Sequence, residues 1–184
     1  DLPWSTRAWW SGDRVDAIAT ALYFNARYFQ TGRAKEVLFG WLATHVDRAT
    51  SLWGRATESQ GLLQPVNGFY RLTRGAYAQF GVPVPLPEAA INSVLTNYRN
   101  HGGFAGESYN ACNLLDTIHP LWLCLKQTDF SRGQAEAIAE TVILRAADRW
   151  QAGKGFGFAD GQQPGLQGTE MWLSTLHLAA DLLG

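Results

Sequence analysis

Asp116 and His119 stand three residues apart in the segment from Leu114 to Leu125, whose other members are mostly apolar. A carboxyl and an imidazole one helical turn apart can exchange a proton. Burial raises a carboxyl's pKa toward the range in which it works as a general acid. Tyr109 and Asn113 fall on the same helical stripe as Asp116, and Pro120 ends it. Pro120 has no backbone N–H, so the Asp116 carbonyl loses its usual helical partner, a local kink beside a site. Tyr109, Asp116 and His119 are therefore candidate catalytic residues, and Asn113 is a candidate substrate contact. The structural alternative is that Asp116 and His119 bond each other or the freed backbone, because buried polar groups need partners.

Two more polar stripes carry suitable groups. Tyr70, Arg71 and Arg74 share one helix with Asn67 and Tyr77. Paired guanidinium groups can grip a carboxylate or a phosphate bidentately, which makes these three candidate substrate-binding residues. Pairing with Asp or Glu on another helix would instead make the arginines structural. Near the end of the chain, Glu170, Ser174, His177 and Asp181 form a third stripe. Glu170 is a second candidate acid and His177 a candidate substrate contact. Their alternatives are a first-turn carboxylate favoured by the helix dipole and a solvated outer face. Asp13, Asp16, Thr20 and Arg27 give the first helix a polar stripe of its own.

The elements that must position these groups read as helices throughout. Helices are expected over Asp13 to Gln30, stopped by Thr31-Gly32, and over Ala34 to Val46. Residues 51–66 read as irregular because of Gly54, Gly61 and Pro65. Asn67 is expected to cap a helix to Phe80, Pro87 to open one to Arg99, and Ser108 to cap one through Lys126. Asp129 or Ser131 caps the next, to Trp150. A glycine-rich loop from Gly153 to Gly168 then leads to a helix from Thr169 to Leu183. No alternating strand pattern stands out.

Aromatic–glycine landmarks recur about every 50 residues: Trp53-Gly54, Gly102-Gly103-Phe104 and Gly155-Phe156-Gly157-Phe158. Each precedes a loop and then a helix. A single helical hairpin cannot bury its own apolar face, so repeated hairpins must stack on neighbours. The glycines are expected to permit tight turns, and each aromatic to tuck beneath the next helix.

On these landmarks the chain resembles, over roughly residues 50–184, the repeats of the terpenoid-cyclase and protein-prenyltransferase superfamily. The resemblance implies an all-α fold, an α/α toroid of helical hairpins with a central aromatic cavity. The seven helices read here make a partial toroid, a fragment of a longer chain, or one part of a homo- or hetero-oligomer that completes it. The Asp-x-Asp-Asp motif of the cyclases and the Cys-His-Gly signature of toroidal lanthionine cyclases are absent. Where the transferases place the Asp-x-Cys of a zinc site, this chain has Asn110-Ala111-Cys112, and a carboxamide is a poor zinc ligand. No metal and no cofactor is therefore expected.

Composition narrows the classes. Of 184 residues, 46% are hydrophobic and 17% charged, which is a globular balance with one domain's worth of core. The net charge is −1 with no basic stripe, which argues against nucleic acid and against a polybasic membrane patch. No apolar run reaches the roughly 20 residues of a membrane span. Cys112 and Cys124 lie on one expected helix, about 18 Å apart, too far to bond each other. Two free thiols fit a reducing, cytoplasmic compartment. Asp1 in place of a methionine reads as a processed end or the start of a fragment.

Three functions fit. One is a cyclase- or prenyltransferase-like enzyme acting on an isoprenoid, with Asp116 or Glu170 as acid and Arg71 and Arg74 facing a diphosphate. A second is a carbohydrate-active toroid, a polysaccharide lyase or a glycosidase. In it Asn113 or Arg71 would neutralise a uronate and Tyr70, Tyr109 or His119 would serve as base, or Asp116 and Glu170 would be paired carboxylates. The third is a non-catalytic binding or scaffold module.

Overall fold

The computed structural model describes residues 2–29, 34–106 and 108–184. Among them the order is α1 (Ala8–Phe24), continued by a π-helical turn (Asn25–Phe29), α2 (Ala34–His45), and α3 (Leu63–Thr73), continued by a second π-helical turn (Arg74–Ala78). Then come α4 (Pro87–Asn100), α5 (Ala111–Cys124), α6 (Arg132–Arg149) and α7 (Leu166–Leu183). No strand occurs among the described residues; four isolated antiparallel bridges pin loops. The all-helical reading therefore holds. The stop expected at Thr31-Gly32 lies outside the described residues.

Several boundaries differ from the sequence reading. The first helix starts at Ala8, five residues before Asp13, because Ala8 and Ser11 bury against the core. α3 starts at Leu63, so Pro65 sits in its first turn, where a missing N–H costs nothing, and Asn67 is one turn inside. α5 is capped by Asn110 and not by Ser108. The Asn110 side chain accepts from the Cys112 and Asn113 backbone, and Asn113 returns a bond to the Asn110 N–H. Ser131 precedes α6 in a left-handed conformation and makes no side-chain cap. α7 starts at Leu166, so Glu170 lies beyond its first turn.

The chain divides into two compact units, Asp1–Ser93 and Val94–Gly184, and the division falls within α4. In the first, α1 packs on α3 through small residues. A Cβ on Gly68 would stand 2.5 Å from the Ala8 carbonyl oxygen, so the backbones meet with no room for a side chain. Trp53 is 2% exposed and donates to the Leu42 carbonyl at 3.1 Å. Its ring lies 6.1 Å from Phe69 and 6.0 Å from Tyr77, and Phe39 meets Tyr77 edge-on at 5.4 Å.

In the second unit α5, α6 and α7 pack on one another. Phe104 is buried and lies 5.6 Å from Tyr109 and 5.2 Å from Tyr98. Phe156 stacks on Trp172 of α7 at 5.2 Å and takes the Trp150 edge at 5.0 Å. So Trp53 meets α3, Phe104 meets the residue before the α5 cap, and Phe156 meets α7. Trp53 and Phe156 tuck against the helix that follows each of them, whereas Phe104 packs between Tyr98 of α4 and Tyr109 in the loop before α5. Gly54, with φ +109, passes within van der Waals reach of the Trp4 backbone, which explains why a glycine follows the tryptophan.

Candidate functional site

Each expected site residue has a definite place. Arg71 and Arg74 project from α3 and the π-helical turn after it, toward α1. Arg74 is ion-paired with Asp16, and Arg71 lies 3.8 Å from Asp13 and 3.9 Å from Asp16. The Arg71 guanidinium also lies over the Trp9 ring at 4.4 Å. Tyr70 is buried, and its hydroxyl accepts from Arg74 at 3.2 Å. Burial opposes the charge on Arg74, but the Tyr70 hydroxyl and the Asp16 carboxylate outweigh it and raise the Arg74 pKa above its ordinary value. The structural alternative describes both arginines: their charge is answered inside the first unit. The π-helical turn lets Gly75 close on Asp16 without a side chain between them.

In the second unit the stripe on α5 is divided among different tasks. Asn113 closes the capping box, so its amide oxygen serves the helix and not a substrate. Asp116 is 1% exposed and His119 6%, both in the apolar core of α5, with Pro120 inside the helix. The His119 ring lies 5.7 Å from Trp122. Glu170 and His177 are exposed on α7, and Glu170 accepts from Ser174 at 3.4 Å. Asp181 on the same stripe is exposed, accepts from Trp122 Nε1 and lies 4.0 Å from Lys126. A buried Asp116 and an exposed Glu170 therefore face opposite environments, core and water.

Tyr109 takes part in a cluster that the sequence reading did not find. Its hydroxyl accepts from Arg149 Nη2 at 3.4 Å, and Arg149 Nη1 pairs with Asp160 at 2.9 Å. The Arg145 guanidinium lies 4.9 Å from the Tyr109 ring centre and 5.4 Å from Phe104, and Arg149 lies 5.5 Å from Tyr109. A cavity of about 250 Å³ opens beside this cluster. It is lined mainly by polar groups, Asp148, Arg149, Gln151, Asp160, Gln162 and Gln163. The Ala111 N–H donates to the Phe158 carbonyl, and Asn110 bridges to Ala159, so the start of α5 is tied to the loop that forms the wall. The available signal was Arg145 and Arg149 four residues apart on α6, one turn of one face.

A separate cavity of about 330 Å³ in the first unit is lined by Ala43, Val46, Arg48, Pro85 and Leu86, without an aromatic ring. Among the described residues no cluster of three or more His, Cys, Asp or Glu could hold a metal ion, and no helix is long and apolar enough to cross a membrane. Cys112 and Cys124 are both unbridged, and Cys112 Sγ lies 3.4 Å from Met171 Sδ. No protein-family model, no curated protein and no solved structure matches the chain.

Proposed function

We propose that this chain is a helical-hairpin repeat protein of the α/α toroid type that binds a saccharide in the polar cavity of its second unit. The observation that carries the reading is that cavity. Carboxylates, carboxamides and a guanidinium converge on about 250 Å³, just below the ~300–1,000 Å³ typical of small-molecule sites and of a size for one sugar ring. Such groups match the mixed donors and acceptors of sugar hydroxyls. The toroid-type assignment rests on the recurrence of three buried landmark aromatics, of which Trp53 and Phe156 pack on the following helix.

The isoprenoid reading has less to support it. The arginines meant for a diphosphate are engaged by Asp13 and Asp16, and Asp116 lies in the core. The binding role is favoured over acid–base catalysis for the same reasons. The test is an NMR titration of the chain with neutral and acidic trisaccharides at millimolar concentration. Shifts confined to the amides of residues 149–163 are expected. No shift there with any sugar overturns the reading. Release of new reducing ends or of an unsaturated product would replace a binding module with an enzyme.

A further inference from the structure

The polar cavity of the second unit carries an unbalanced charge. Its lining includes two carboxylates, Asp148 and Asp160, and a single cation, Arg149. Arg149 is already committed. Its Nη1 pairs with Asp160 at 2.9 Å, its Nη2 donates to the Tyr109 hydroxyl at 3.4 Å, and its guanidinium lies 5.5 Å from the Tyr109 ring centre. Arg149 and Asp160 therefore cancel each other. The other polar side chains of the lining, Gln151, Gln162 and Gln163, are neutral carboxamides that can donate to or accept from hydroxyls. What remains is the negative charge of Asp148.

Nothing in the chain answers that charge. Asp148 makes no ion pair among the described residues. Arg149 is its neighbour in sequence, and side chains one residue apart on a helix do not face each other. Arg145 stands three residues before it on α6, a spacing at which the two could pair. The Arg145 guanidinium instead lies over Phe104 at 5.4 Å and Tyr109 at 4.9 Å, and it does not line the cavity. A ligand entering the cavity thus meets a carboxylate open to a cation. An acidic ligand would meet repulsion there, and a basic one would supply the missing partner. Asp148 is exposed, so water and salt weaken the attraction and its size is that of a surface ion pair.

We infer that the cavity takes a basic saccharide, an amino sugar whose ammonium group lies against Asp148. This rests on the saccharide reading of the same cavity. The experiment is an NMR titration of the whole chain with the trisaccharide of glucosamine and with its fully N-acetylated form. The pH is about 5.5, where an exposed Asp is ionised and the sugar amines are protonated. N-acetylation removes the charge and keeps the rings. The amine form should bind about two- to five-fold more tightly than the acetylated form, with shifts in the amides of residues 149–163. That preference should shrink as salt is added. In D148N it should fall to about one, and in D148E, which keeps the charge, it should persist. Equal or tighter binding of the acetylated form or of an acidic trisaccharide overturns the amino-sugar inference and leaves the saccharide reading standing. So does a preference undiminished in D148N. Binding of neither form, nor of any neutral or acidic trisaccharide, overturns both.

Discussion

Asp16 shows how a residue with every mark of a functional carboxylate can be consumed by the fold. It is 6% exposed, ion-paired with Arg74, close to Arg71 and pressed against Gly75. Removing its charge leaves guanidinium groups partly buried without a counter-charge, which costs more than the pair itself contributes. Asp16→Asn should destabilise the chain by about 2 kcal/mol in urea unfolding. Adding Arg74→Met should recover part of that loss, since the orphaned charge is then gone too. Equal stability of D16N and the unaltered chain would show that the pair is merely superficial. The same reasoning separates Asn113 from a substrate contact. Its side chain closes a cap that any helix needs at that end.

Helix contacts in the first unit depend on absent side chains. α1 and α3 approach at Ala8 and Gly68 so closely that a methyl group on Gly68 would meet the Ala8 carbonyl carbon, oxygen and Cβ together. Backbone cannot step aside as a flexible side chain can. Gly68→Ala should therefore cost about 2 kcal/mol or more through overpacking. Gly40 on α2 is the opposite case: it is exposed, and nothing lies within 4 Å of a Cβ placed there. Gly40→Ala should stabilise by roughly 0.5–1 kcal/mol from helix propensity alone. Thermal melts of the two variants should move in opposite directions. Two downward shifts would mean that the close approach of α1 and α3 is not what distinguishes these glycines. The helix starts follow similar tertiary reasons, with α3 reaching back to Leu63 because Pro65 and Val66 are buried.

At the scale of the whole chain, each unit buries a group that resists ionisation. Burial raises the Tyr77 phenol from 10.0 to about 12 in the first, and the Cys124 thiol from 9.0 to about 12 in the second. Both are acids whose folded pKa lies above the unfolded value, so folding favours their neutral forms. Their stabilising contribution is complete below the unfolded pKa and is lost as pH rises through the folded one. Stability should hold up to about pH 9, then fall between 9 and 12, first from Cys124 and from about pH 10 also from Tyr77. Urea unfolding followed across that range measures it. In native protein at pH 8 a thiol reagent should modify the partly exposed Cys112 and leave Cys124 untouched until the chain unfolds. A Cys124 that reacts at once would mean that the core around α5 opens readily.

Apolar periodicity, caps and glycine punctuation are local properties, and they sufficed to read the chain as helical and to find its recurring Trp53, Phe104 and Phe156 landmarks. They also separated the two cysteines correctly, by helical rise alone. Periodicity says which residues share a face, but not what that face meets. Asp116 and Glu170 both read as polar positions on their helices, and only packing sent one into the core and left the other in water. Arg71 and Arg74 looked available because their partners, Asp13 and Asp16, are more than 50 residues away in the chain. Arg145 and Arg149 drew no reading from the sequence, because the loop carrying Asp160 and the residue Tyr109 that stand beside them are brought there only by the fold. Charge pairing and cavity lining are set by neighbours distant in sequence, so the helices were legible from the residues and the site had to wait for the fold.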